Sequence, residues 1–136
     1  MADKISIIQK AVSRIPAPAK GNTIQRIMAY QQSLALLHWR TSSFAEHKAL
    51  GEAYEKLADL LDGFVESLIG LRGRAILSGI SNLTLSQSVD EVLSGLESIL
   101  RNDLSGELTP RETSMLNLRD EMLDLVLHTR YLLTLK

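Results

Sequence analysis

Apolar residues recur along this chain at intervals of three, four and seven, and runs that alternate apolar with polar positions are scarce. That pattern predicts helices and almost no strand. A leader over residues 3–14 sets Ile5, Ile8, Val12 and Ile15 on one stripe, with Asp3 placed to cap it, and Pro16-Ala17-Pro18-Ala19-Lys20-Gly21 then breaks it. The first long helix begins near Asn22, with Gln25 in capping-box spacing, turns Ile24, Ile27, Met28, Leu34 and Leu37 toward a core, and ends near Trp39. The second runs from about Ser43 to Leu71 with Leu50, Leu57, Leu61, Phe64 and Leu68 on its inner stripe; Gly70 and Gly73 weaken its far end. Gly79 to Ser86 reads as a connection, with room for one more helical turn over Arg74 to Leu77. A third helix spans Gln87 to Arg101 with Val89, Val92, Leu93, Leu96 and Leu100 apolar, and Asn102 to Gly106 makes a turn. Thr109-Pro110-Arg111-Glu112 combines a cap, a proline at the first helical position and a capping-box glutamate, so it opens a fourth helix that reaches about Leu133. The expected architecture is all-α: a leader and linker over residues 1–21 and a four-helix bundle over 22–136.

The 136 residues, 45% of them hydrophobic, suit one domain with a real core. Fifteen basic and sixteen acidic residues leave the chain close to neutral, so no global field draws it to nucleic acid or to an anionic membrane. The leader region carries Lys4, Lys10, Arg14, Lys20 and Arg26 against Asp3, but spread charges without interleaved aromatics read better as an amphipathic helix that docks on a neighbouring subunit than as a DNA-binding arm. A nucleic-acid partner is therefore disfavoured. No cysteine is present, which removes disulfides, zinc–thiolate sites and thiol nucleophiles and leaves nitrogen and oxygen ligands for any metal. With no signal-peptide pattern and no run of about 18 apolar residues, the expectation is a soluble protein that makes no use of a membrane.

The candidate chemistry is concentrated between His38 and Glu66. His38 and Trp39 end the first helix, His47 opens the second, and Asp62 and Glu66 lie further along it, four residues apart, so that both carboxylates can approach one hard cation. Gly51, Tyr54, Ala58, Asp62 and Val65 fall on the same side of the second helix as His47. His47 and Asp62 are nevertheless separated by roughly 22 Å of helix axis. One chain cannot close such a site. Two copies of the second helix crossing antiparallel about a twofold axis can, with His47 of one meeting Asp62 and Glu66 of the other and His38 supplying a further nitrogen. His128 with Asp124 reads as a surface pair, and the fourth helix has no Glu-x-x-His motif, which disfavours a di-iron centre built inside one chain. No Gly-rich phosphate loop or Ser/His/Asp arrangement stands out.

Residues 34–66 resemble the starved-cell DNA-protection ferritins (Dps), in which a His-Trp pair, a second His and an Asp-x-x-x-Glu pair follow in this order; here these are His38 with Trp39, His47, and Asp62 with Glu66, and Phe44 is similar too. The resemblance implies a ferritin-like four-helix bundle, a homodimer or larger homo-oligomer, and an intersubunit site for iron, or for zinc or manganese, with possible ferroxidase chemistry. Two departures weigh against that chemistry: Gly51 stands where the family has an acidic residue, and the His38–His47 interval is about three residues shorter. The string from His38 through Thr41, Ser43, Glu46, His47, Lys48, Ala49, Leu50 and Gly51 to Tyr54 is also similar to an uncharacterised helical family of phages and large DNA viruses. That second resemblance implies a viral origin. It carries the alternative reading, a non-enzymatic structural or assembly protein such as a virion component, partnered by itself or by viral structural proteins in the host cytoplasm or the virion.

Overall fold

The computed structural model describes residues 23–77, 79 and 82–135. The expected leader over residues 1–21 lies outside them. Among the described residues every regular element is helical, in four rods: α1 (Thr23–Arg40), α2 (Phe44–Arg72), a third rod made of α3 (Val89–Ser98), a π-helical turn (Ile99–Asp103) and α4 (Leu104–Glu107), and finally α5 (Thr113–Leu133). A short 3-10 turn, Arg74–Leu77, follows α2 where the sequence leaves room for it.

Helix ends follow local chemistry. Ser43 caps α2 by accepting the Glu46 N–H at 3.3 Å, and Ser88 caps α3 through the Glu91 N–H at the same distance, both in Ser-x-x-Glu spacing. Gly73 stops α2 with φ at 86°, where a side chain would be strained, while its N–H reaches Ile69 O at 2.7 Å. The inner stripes bury Ile24, Ile27, Leu34 and Leu37 of α1, Leu50, Leu57, Leu61, Phe64 and Leu68 of α2, and Val92, Leu93, Leu96 and Leu100 of the third rod. Phe64 and Leu50 are fully enclosed at the centre. Met28, expected in the core, is instead exposed on a flank that nothing among the described residues covers.

Two boundaries differ from expectation. Asn102 to Gly106 is helical, because the π turn and α4 continue the third rod. Leu100 O, displaced by the wide turn, is taken up by the Ser105 hydroxyl at 3.4 Å and by the Arg119 guanidinium at 3.3 Å, which itself also bonds the Ser105 oxygen. The carbonyl that an α-helix would have satisfied thus finds other donors, and the turn persists. Thr109-Pro110-Arg111-Glu112 forms a turn ahead of α5 and not its first residues: Glu112 N–H donates to Thr109 O at 3.0 Å, and the Glu112 carboxylate accepts the Thr109 N–H at 2.9 Å. The capping-box contact exists, but Arg72 also claims that carboxylate.

Contacts between the rods define the topology. α2 packs against α1 and α5, and the third rod packs against the other side of both. Arg26, near the start of α1, meets Asp103 at the far end of the third rod at 2.6 Å, so these two run antiparallel. Arg72, at the end of α2, holds Glu112 ahead of α5, so these two are antiparallel as well. The directions are therefore up, down, down, up. A single long crossover joins α2 to α3 and climbs beside α1, with Gln25 Nε2 donating to Gly79 O at 2.8 Å and the buried Ser33 hydroxyl accepting the Ser86 N–H at 2.9 Å.

Candidate functional site at the helical hairpin

The turn between α1 and α2 is three residues long, so the last turn of one helix lies beside the first turn of the other. His38 and His47 are brought together there with ring centroids 3.8 Å apart and planes inclined by 18°. His38 Nδ1 bonds the backbone oxygen of His47 at 2.6 Å, and His47 Nδ1 bonds that of His38 at 2.8 Å. A carbonyl only accepts, so both Nδ1 atoms carry the hydrogen, and in the neutral ring each Nε2 holds the lone pair. The physical demand is clear: His38 O belongs to the last turn of α1, whose carbonyls lack helical partners, and the facing imidazole supplies one. The two histidines form a reciprocal clasp across the hairpin.

Gly51 belongs to the clasp. A Cβ placed there would lie 2.8 Å from His38 Cε1 and 3.0 Å from His38 Nδ1. Gly51, which the Dps resemblance marks as a missing acidic ligand, is in the fold the floor on which the His38 ring rests. Tyr54, half-buried one turn further, tilts against the same ring at 5.4 Å, and its carbonyl receives the side chain of buried Gln31 at 3.1 Å.

Outside the clasp, the hairpin presents its largest side chains to solvent. Trp39 is 70% exposed and Phe44 is 74% exposed. Lys48 Nζ lies 5.7 Å from the centre of the Phe44 ring, a cation–π distance.

Of the four residues expected to bind metal, the fold unites two. Asp62 and Glu66 are exposed further along α2, and among the described residues of one chain no three His, Asp or Glu side chains converge where an ion would sit. Nor does the clasp itself fit one ion: a metal lies close to the plane of each imidazole it binds, and two nearly parallel rings stacked at 3.8 Å share no such position beyond their Nε2 atoms. Among the described residues of one chain, Asp62 and Glu66 stand apart from the clasp along α2.

The opposite end of the bundle holds a polar cluster that sequence reasoning missed, because its contacts join residues up to 84 positions apart. Thr23 donates to Glu107 at 2.6 Å, Arg72 bridges Glu107 O and the Glu112 carboxylate, and Arg26 pairs with Asp103. Burial pushes the Glu107 carboxyl above its usual range, with Asp103 adding to the effect and the Thr23 hydroxyl, Arg72 and Arg26 opposing it. Hydrogen bonds from Arg72 and from the Thr109 backbone hold Glu112 below that range. A groove of about 670 Å³ opens between α1, the crossover and α3, lined among others by Arg26, Tyr30, Leu83, Leu85 and Glu91. At its edge the Tyr30 hydroxyl lies where a side chain on Gly95 would have to go.

Comparison with known proteins bears on this hairpin directly, since residues 38–133, from the first clasp histidine to the end of α5, match the model of a family of unknown function, DUF5856. The chain belongs to the DUF5856 family. It is also similar to the uncharacterised 14.6 kDa protein of the mobD-ri intergenic region of Enterobacteria phage T4, with 29% identity over 112 residues that cover 81% of this chain and 84% of that protein. No solved structure matches. The viral resemblance read from His38 to Tyr54 thus leads to this phage-related helical family, and the comparisons add nothing that is ferritin-like. The DUF5856 match also includes the whole clasp, Trp39, Phe44 and both carboxylates of α2.

Proposed function

We propose that this DUF5856 protein is a phage-encoded helical assembly protein, acting without catalysis through contacts with copies of itself and with viral structural proteins, in the host cytoplasm or in the virion. The observation that carries the reading is the hairpin: Trp39 and Phe44 stand exposed on a turn that the His38–His47 clasp holds in one shape. Large rigid aromatics held in the open are what protein interfaces are built around, because their contact area is gained with little loss of side-chain freedom. The similarity to a phage T4 protein supports the viral setting. The test is solution mass by light scattering across concentration. A mass at least twice the 15.1 kDa of one chain is expected at tens of micromolar, and a single-chain mass throughout would overturn self-assembly.

A narrower reading keeps intersubunit metal binding by His38, His47, Asp62 and Glu66, with iron, zinc or manganese as the metal and, because the stacked rings do not fit one ion, each imidazole on an ion of its own. Two features support it. The single long crossover is the connectivity of ferritin-like bundles, and the clasp turns both Nε2 lone pairs away from the backbone bonds, as in histidines poised for ligation. Under this reading each imidazole takes its carboxylate partners from a second copy. Calorimetric titration of the oligomer with Zn(II) should then show stoichiometric binding that His47→Ala with Asp62→Ala abolishes; equal binding by the variant would remove the site.

A further inference from the structure

The outer face of α5 changes character along its length. Glu121, Asp124, His128 and Tyr131 recur at three- and four-residue spacing and are all exposed, with Leu127 beside them and exposed Leu135 just past the helix end, so an acidic patch passes into an apolar one along this side. Tyr131 is 58% exposed. Among the described residues Glu121 and Asp124 form no ion pair, whereas their neighbours Asp120 and Arg130 are engaged by Arg119 and by Glu97. The hairpin has the opposite make-up: Trp39 and Phe44 are flanked by exposed Arg40 and Lys48, which likewise form no ion pair among the described residues. Glu46, the acid of that first turn, sits where the N-terminal N–H groups of α2 favour negative charge, and Glu52 lies a turn deeper along the helix. One surface is aromatic and basic. The other is apolar and acidic.

We propose that the aromatic hairpin of one copy docks on the Glu121–Tyr131 face of α5, together with Leu135 just beyond it, in a second copy, and that a twofold axis makes the contact reciprocal. The inference rests on the self-assembly reading above and names its surfaces. Trp39 and Phe44 cover Leu127, Tyr131 and Leu135, and Arg40 and Lys48 are brought to Glu121 and Asp124. Aromatic side chains bury roughly 150–250 Å² each, so two hairpins docked at once supply the apolar centre of a dimer interface, with complementary charge at its rim. Twofold closure satisfies both surfaces of both copies and leaves no open end from which a filament could grow.

The test uses two full-length variants, Arg40→Glu with Lys48→Glu, and Glu121→Lys with Asp124→Lys, all at exposed positions, with circular dichroism and melting temperature to verify the fold. Each variant alone should dissociate at least about tenfold more readily than the unaltered protein, because like charges then face each other. An equimolar mixture should reassemble, since each heterodimer contains one fully reversed contact and one unaltered contact. If the unaltered protein is itself a monomer, the assembly reading fails and this inference with it. If it assembles but either variant stays as tightly associated, or both dissociate and the mixture does not recover, the docking is wrong and the assembly reading stands on another surface.

Discussion

Gly51 and Gly63 lie on the same helix and have opposite reasons for being glycine. At Gly51 an added methyl meets the His38 ring, whereas at Gly63 nothing stands within 4 Å. Gly51→Ala should therefore cost about 1–3 kcal/mol through overpacking and displacement of the clasp, while Gly63→Ala should stabilise by roughly 0.5–1 kcal/mol, the helix-propensity gain. Urea denaturation measures both. The decisive comparison is Gly51→Ala in a His38→Ala background: with the ring gone the substitution should become neutral or favourable, and an unchanged cost there would show that the clasp is not what Gly51 serves. From sequence, His38 and His47 could be singled out as a pair of interest, but their contact could not: it depends on a three-residue turn whose geometry lays the two helix ends side by side so that the rings stack.

At the level of elements, Arg119 is the side chain that accommodates the π turn, reaching from α5 to the displaced Leu100 carbonyl. Arg119→Met keeps the apolar stem and removes the donor, and should destabilise the fold by about 1–3 kcal/mol for a poorly satisfied carbonyl, with faster amide exchange concentrated over residues 99–107. Uniform exchange along the third rod would contradict that role. The periodicity of Val92, Leu93, Leu96 and Leu100 revealed the helix but not its continuation, because Asn102, Asp103, Ser105 and Gly106 have turn composition and are kept helical by tertiary partners: Arg26 for Asp103, Arg119 for Ser105. Similarly, the Thr109–Glu112 signal marked the right place while α5 began only at Thr113, since Glu112 divides its carboxylate between the turn and Arg72.

Across the whole molecule, the polar end gives stability two opposing acid responses. Glu112, held below its usual range, adds stability that is fully present above about pH 4.5 and is lost as pH falls through its lower folded-state value. Glu107, held above that range, lessens stability while ionised, and the deficit disappears as pH falls from its raised folded-state value toward 4.5. Chemical denaturation against pH should accordingly show Glu107→Gln more stable than the unaltered protein at pH 7, with the advantage shrinking in acid, and Glu112→Gln less stable at pH 7, with its deficit shrinking below pH 4.5. A Glu107→Gln advantage that does not change with pH would reject burial as the cause. At the same scale, an interface rimmed by Arg40, Lys48, Glu121 and Asp124 should weaken as salt rises from about 0.05 to 0.5 M, measured as a rising dimer dissociation constant.

The sequence by itself determined the four rods, their inner faces and most of their ends, because apolar spacing and Ser, Gly and Pro punctuation act within a few residues of where they stand. It also singled out His38, His47, Asp62 and Glu66, and it established that the last two lie too far along one helix to join the first two in one chain. Only the tertiary structure decided that the histidines clasp each other, that Gly51 makes room for a ring, that Trp39 and Phe44 face outward, and that Arg72, Glu107 and Glu112 share one end of the bundle. Those outcomes depend on which surfaces meet across tens of residues, and local periodicity carries no information about the partner.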